Sequence, residues 1–295
     1  MEKSAMITIC GRPNVGKSTL TNALVGEKIA IVSDKPQTTR NRITAIVEHG
    51  ETQLVLMDTP GFHKPRTRLG DYMVNVVSQS VADVDLVLLL VEPVAEIGKQ
   101  EEGLIARLRE TGAPAVLVIN KIDTVERPRL LEVMALYSAA YDFGAIIPIS
   151  AKTGEGIPEL LDEMEKYAVE GPHLFPDDMI TDQPERQICA ELVREKLLKC
   201  LDKEIPHGTA VEVTRFTERD NGIIDLEVTI YCEKDSHKGI IIGKKGAMLK
   251  RIGELARKDI EEFMGTKVNL QTWVKVKENW RDSTSLLRNF GFKNE

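Results

Sequence analysis

The chain has 295 residues, 42% hydrophobic and 29% charged, which is enough for about two domains with ordinary cores. Its apolar runs, such as Leu86–Val91 and Ala115–Ile119, fall far short of a membrane span, and no signal peptide is expected at the N-terminus. The four cysteines (Cys10, Cys189, Cys200, Cys232) form no C-x-x-C pair, so they read as reduced, small core residues of a cytosolic protein rather than as zinc ligands.

Net charge is −7, but unevenly placed. Residues 1–185 hold 18 Lys+Arg against 28 Asp+Glu, a balance of −10, while residues 186–295 hold 21 against 18, a balance of +3. Within 238–258 seven basic residues face one acid, Glu254. This is a local basic patch, although most such runs are only a solvated helix face.

The first half predicts strands at Ala5–Cys10, Ile43–Glu48, Gln53–Asp58, Leu86–Glu92, Ala115–Asn120 and Ile146–Ile149. Helices are predicted at Gly16–Val25, Leu69–Val81, Lys99–Thr111, Pro128–Tyr141 and Ile157–Ala168. Apolar runs alternating with amphipathic stretches indicate an α/β domain with a mixed, mostly parallel sheet over residues 1–170. Residues 171–185 carry three prolines and no helical period, which predicts a linker. Residues 186–295 predict a smaller α+β domain in the order helix, strand, strand, helix, helix, strand. Its landmarks are a helix over Gln187–Leu201, a strand alternating from Ile224 to Cys232, a helix with Leu249, Ile252, Ala256, Ile260 and Phe263 on one face, and a final strand around Val268–Val276.

After the first strand, Gly11-Arg-Pro-Asn14-Val15-Gly16-Lys17-Ser18 fits G-x-x-x-x-G-K-[ST] and opens a helix, the context in which that motif cradles phosphates. Glycines let the backbone present N–H groups to phosphate oxygens, and the helix N-terminus favours anions. Lys17 is expected on the β- and γ-phosphates and Ser18 on Mg2+; Thr19 completes the candidate nucleotide contacts. Asp58-Thr-Pro-Gly61 ends a strand, where Asp58 can hold Mg2+ through water and the Gly61 amide can reach the γ-phosphate. Between these motifs lies a polar segment with Thr38 and Thr39. A threonine here binds Mg2+ only when the γ-phosphate is present; Thr39 is favoured, with Thr38 the near alternative. The candidate catalytic set is therefore Lys17, Thr39, Asp58 and Gly61, and a second mobile segment is expected over Gly61–Gly70.

Asn120-Lys121-Ile-Asp123 ends the next-but-one strand. The Asp123 carboxylate can accept both adjacent donors of guanine, a pair that adenine lacks, and such committed polar groups reject the wrong base. Asn120 is expected to tie loops together, Lys121 to cover the base, and a backbone N–H of Ser150-Ala151-Lys152 to meet guanine O6. Apart from the phosphate loop, each motif alone is weak. Together they stand in order at strand ends of one α/β domain, where ligands of such sheets bind. Over residues 5–168 the set resembles the translational-type GTPases, which implies GTP or GDP with Mg2+ as ligands.

Two residues qualify that reading. Many such enzymes orient the attacking water with a glutamine after Asp-x-x-Gly, but here the residue is Phe62, so slow hydrolysis without an activator is expected. Asn14 either shapes its turn or, as the resemblance to GTPases lacking that glutamine implies, helps hold K+ in place of an arginine finger.

In the second half, Ile240-Ile-Ile-Gly243-Lys244-Lys245-Gly246 places G-x-x-G between two helices, followed by Lys250 and Arg251. A glycine turn there lets a nucleic-acid backbone approach, and the basic set meets phosphate. With its α-β-β-α-α-β order, the domain resembles a type II KH module. Trp273 can stack on a base, but packing against a helix is the commoner role of tryptophan.

The combination, with Gln37-Thr38-Thr39-Arg40 and the tail Trp273-Val-Lys-Val-Lys277, resembles the bacterial Era GTPase family over nearly the whole chain. That resemblance implies binding near the 3′ end of 16S rRNA, a role in small (30S) ribosomal subunit biogenesis, and peripheral association with the inner membrane. A cytoplasmic monomer is expected. The competing readings are an RNA-binding scaffold whose nucleotide site is mainly structural, and a GTPase acting on another RNA.

Overall fold

The computed structural model describes residues 1–61, 67–80 and 84–292, which divide into two compact units. The first is built from described residues within 1–30, 39–61 and 73–182, the second from those within 31–38, 67–72 and 183–292. Phe62 and the rest of residues 62–66, half of the Gly61–Gly70 segment, lie outside the described residues.

The first unit carries a seven-stranded mixed sheet. Its strands are β1 (Lys3–Cys10), β2 (Ile43–His49), β3 (Thr52–Asp58), β4 (Leu86–Val91), β5 (Ala115–Ile119), β6 (Ala145–Pro148) and β7 (Val169–Glu170). The order is β2-β3-β1-β4-β5-β6, with β2 antiparallel to β3 and the rest of that path parallel. β7, too short for any sequence period, pairs antiparallel with the start of β1. The helices are α1 (Lys17–Val25), α2 (Arg68–Ser80), α3 (Lys99–Thr111), α4 (Arg127–Ala140) and α5 (Ile157–Glu165).

Period-2 alternation explains why β4 and β5 are apolar throughout. Leu86, Leu88, Leu90, Val116 and Val118 join one core with Leu20, Leu24, Leu160 and Met164, from α1 and α5. Val87, Leu89, Val91, Leu117 and Ile119 point the other way, onto Leu104, Leu108, Val133 and Tyr137 of α3 and α4. With both faces covered, no polar alternation is left to see.

Residues 171–182, expected as linker, are instead laid along this unit. The Ile46 amide donates to the Ile180 carbonyl at 2.9 Å, Thr181 Oγ1 to the Thr44 carbonyl at 2.6 Å, and buried Gln53 accepts the amides of Leu174 and Phe175 at 2.8 and 2.9 Å.

The second unit runs α6 (Glu185–Cys200), β8 (Ala210–Glu218), β9 (Ile224–Cys232), α7 (Asp235–Ile242), α8 (Ala247–Met264), β10 (Val268–Val276) and α9 (Thr284–Asn289). Its sheet is β10-β9-β8, with β9 parallel to β10 and antiparallel to β8. Leu226, Val228 and Ile230 of β9 pack under Leu192, Val193 and Leu197 of α6 and Ile252, Ala256 and Ile260 of α8. Residues 31–38 are part of this unit: Ile31 enters its core, the Val32 amide donates to Glu195 Oε1 at 3.0 Å, and Arg194 donates to the Thr38 carbonyl. Trp280 is fully buried, donating from Nε1 to the Gly208 carbonyl at 2.9 Å.

Candidate nucleotide and nucleic-acid sites

Parallel order brings the ends of β1, β3 and β5 to one edge of the first sheet, and the loop from Gly11 to Ser18 leaves β1 there. Asn14 is left-handed with φ 67° and Gly16 with φ 102°. A Cβ on Gly16 would sit 2.3 Å from Asn120 Nδ2, so both backbone and space demand glycine. Gly61 is placed against the same loop, where an added Cβ would meet Pro13 at 2.9 Å. Lys17 is buried, with Nζ donating to the carbonyls of Gly11 and Arg12 at 3.1 and 3.0 Å. Burial holds its pKa below the ordinary lysine value, against the pull of the Asp58 charge.

Ser18, Thr39 and Asp58 converge. Ser18 Oγ donates to Asp58 Oδ2 at 2.8 Å and lies 2.8 Å from Thr39 Oγ1. Of the two candidate threonines Thr39 alone stands here, because Thr38 Oγ1 turns back to the Lys35 carbonyl at 2.6 Å. Asp58 is fully buried and its Oδ1 has no hydrogen-bond partner. Burial pushes the Asp58 carboxyl up to about 6, although Lys17 and the Ser18 hydroxyl favour its charge. A buried, under-satisfied carboxylate beside two hydroxyls is a hard-oxygen donor set, which fits Mg2+.

The base side is knit together by Asn120, which is buried. Its Nδ2 donates to the Val15 carbonyl at 2.8 Å and its Oδ1 accepts the Ala151 amide at 2.9 Å, joining three loops. Lys121, left-handed at φ 66°, reaches across to the Asn14 carbonyl at 2.7 Å. Asp123 Oδ1 accepts from Ser150 Oγ at 2.7 Å. The amides of Ser150 and Ala151 donate to the Glu155 carbonyl and to Asn120 Oδ1. Thr19 is the third residue of α1, half-buried.

Sequence reasoning missed a charged brace under the loop. Glu92, just past β4, pairs with both Arg12 and Lys121, and buried Glu101 lies 3.4 Å from Arg12. Burial alone would raise the Glu92 pKa, but Lys121 and Arg12 outweigh it and hold it low. An acid closing an all-apolar strand was the available signal.

In the second unit, α7 ends at Gly243 (φ 71°), and Lys245 and Gly246 are left-handed at φ 52° and 80° before α8 begins. Lys244, Lys245, Lys250 and Arg251 are all exposed on this turn and the first turn of α8. Trp273 is 55% exposed on β10, which corrects the expectation that it packs against a helix.

Residues 6–121 match the family model described as 50S ribosome-binding GTPase, and residues 204–281 match the KH domain model. Fold and site together define a P-loop GTPase joined to a C-terminal KH domain. GTPase Era of Ruminiclostridium cellulolyticum is 53% identical over 291 residues, covering 99% of this chain and 98% of that protein. The chain belongs to the Era GTPase family. Era of Clostridium kluyveri is 52% identical over 293 residues, covering 99% of this chain and 100% of the relative. Crystal structures agree: an Aquifex aeolicus Era variant bound to GDP·AlF4− matches with a TM-score of 0.95 at 36% identity, over 99% of this chain and 100% of that one. Era in complex with MgGDPNP and nucleotides 1506–1542 of 16S ribosomal RNA matches with a TM-score of 0.93 at 36% identity, over 100% of both chains.

Proposed function

We propose that this GTPase is a nucleotide-dependent switch that binds the 3′ region of 16S rRNA through its KH unit and acts in small-subunit biogenesis. The observation that carries the reading is the turn Gly243–Gly246, with exposed Lys244 and Lys245 within it and exposed Lys250 and Arg251 after it, a backbone-clamping geometry for single-stranded nucleic acid. The likeness to Era solved with nucleotides 1506–1542 of 16S rRNA supports the choice of RNA.

Gly11, Val15, Gly16, Lys17 and Thr19 hold the phosphates on this reading, and Asp123 with Lys152 reads guanine. Ser18, Thr39 and Asp58 hold Mg2+, which neutralises phosphate charge when bound. Thr39 and Gly61 respond to the γ-phosphate. Asn14 holds K+ near the phosphate loop, where the ion supplies the positive charge that an arginine finger otherwise would. Turnover in K+ should then exceed turnover in Na+, and equal rates in the two salts would remove K+ from the reading. Contact with the inner membrane is peripheral on this reading, because no helix among the described residues is long and apolar enough to cross a membrane; vesicle flotation of the purified protein checks it.

The test of the whole is crosslinking to RNA in cells, comparing the parent with Gly246→Asp. Reads piled near the 3′ end of small-subunit rRNA, lost in the variant while GTP binding persists, are expected. Diffuse reads would leave the GTPase without its ribosomal target.

A further inference from the structure

We propose that Glu48, His173 and Asp177 form a binding site for a first-row divalent cation of the zinc type, at the end of the GTPase unit opposite the nucleotide. His173 Nδ1 lies 2.8 Å from Asp177 Oδ1 and 3.9 Å from Glu48 Oε2, and the three donor atoms all lie within 4.8 Å of one another. Ligands of a tetrahedral zinc ion, bound at 2.0–2.2 Å, stand about 3.4 Å apart. Small side-chain rotations bring the three atoms to that spacing. One imidazole with two carboxylates suits zinc and its first-row neighbours, whereas Mg2+ prefers an all-oxygen octahedron.

The surroundings orient each ligand. His173 Nε2 stands 3.3 Å from the Glu51 carbonyl, so that carbonyl takes the ring N–H and Nδ1 is left as the coordinating atom. Buried Gln53 donates from Nε2 to Glu48 Oε1 at 2.8 Å, which leaves Oε2 on the cluster side. The same side chain accepts the amides of Leu174 and Phe175 and donates to the Phe175 carbonyl at 2.9 Å, fixing the backbone next to His173. One buried amide therefore positions two of the three ligands. His173 is 15% exposed and Asp177 80%, so the ion can enter from solvent and keep water in its remaining position.

Asp177 and the Glu51 carbonyl, followed by the Glu48 charge, hold the His173 imidazole above its ordinary pKa, so a cation at Nδ1 competes with a proton and binds more weakly as pH falls. It would fasten residues 171–182 to the β2–β3 hairpin. Glu48 pairs with Gln53, five residues along β3 from Asp58, so the site is about 17 Å from the nucleotide end of the strand.

The experiment is calorimetric titration of Zn2+ into the full chain saturated with Mg·GDP, with Co2+ as a spectroscopic substitute. One equivalent of Zn2+ is expected, with nitrogen- and oxygen-type Co2+ absorption. His173→Ala and Asp177→Asn should each weaken binding at least tenfold without changing GDP affinity. His49→Ala serves as control, because His49 has its own carboxylates, Asp162 at 3.1 Å and Glu165 at 3.8 Å, and should bind Zn2+ as the parent does. Parent-like binding in His173→Ala, equal loss in His49→Ala, a thiolate-type Co2+ band, or no binding by the parent below millimolar Zn2+ each overturns the proposal. Should His173→Ala unfold, Glu48→Gln carries the same test.

Discussion

A carboxylate buried without a full set of partners is costly, and Asp58 is such a group at the centre of the nucleotide site. Its folded pKa of about 6 lies above the unfolded value of about 3.9, so the folded state binds the extra proton. The stability this group contributes is fully present below the unfolded pKa and is lost as pH rises through 6. The loss is on the order of 2–3 kcal/mol by pH 8. Thermal melts of the nucleotide-free protein from pH 4 to 8 should show most of that decline, and Asp58→Asn should flatten it; an unchanged slope in the variant would assign the decline to other groups. Asn120 is the neutral counterpart. Truncating it to alanine leaves the Val15 carbonyl and the Ala151 amide buried without their partner. About 2–4 kcal/mol of stability should be lost, with guanine nucleotide affinity, measured by fluorescence titration. Asp123→Asn removes only the acceptor pair, so GDP binding should fall roughly tenfold or more while the melting temperature stays put.

Among elements, α6 shows what periodicity conceals. Arg194, Glu195 and Lys196 stand in its middle and are all buried. Lys196 Nζ pairs with Glu195 at 2.6 Å and with Asp259 of α8, and Lys199 lies 3.1 Å from the same Glu195. Lys196→Met should cost about 1–3 kcal/mol by urea denaturation, because buried Glu195 loses one charged partner while keeping Lys199 and the Val32 amide, whereas Lys250→Met on the exposed start of α8 should stay within about 0.5 kcal/mol. A sequence shows charged residues at those positions but not the partners that let them go inside. The parallel strands were legible because an apolar run such as Leu86–Val91 needs cover on both faces. The phosphate loop and the Asn120–Asp123 motif were legible because their spacing is chemical. The two-residue β7 and the six-residue α9 are too short to show a period. Residues 171–182 read as linker because the side chain that binds them, Gln53, is a polar residue inside a strand whose seven residues are all buried, a fact that alternation cannot reveal. Thr39 could be separated from Thr38 only by seeing which hydroxyl stands on Ser18.

At the scale of the whole molecule, the uneven charge makes a quantitative demand. An acidic chain that grips RNA must do so through local cations, so affinity should fall steeply with salt. Replacing Lys244 and Lys245 together with alanine should lower the slope of log affinity against log salt by about 1.4, the value for two phosphates of a single strand. A slope unchanged in filter-binding titrations would mean that neither lysine meets the backbone. A last consequence lies in the pairing of β7 with β1, where Lys3 stands opposite Glu170 and Ser4 opposite Val169. Tension across this antiparallel pair, drawn from the start of β1 and the end of β7, opens it like a zipper, one rung at a time, instead of shearing all rungs together. The first yielding event in an optical trap should therefore come at low force and leave the far end of β1, with its phosphate loop, still able to hold nucleotide.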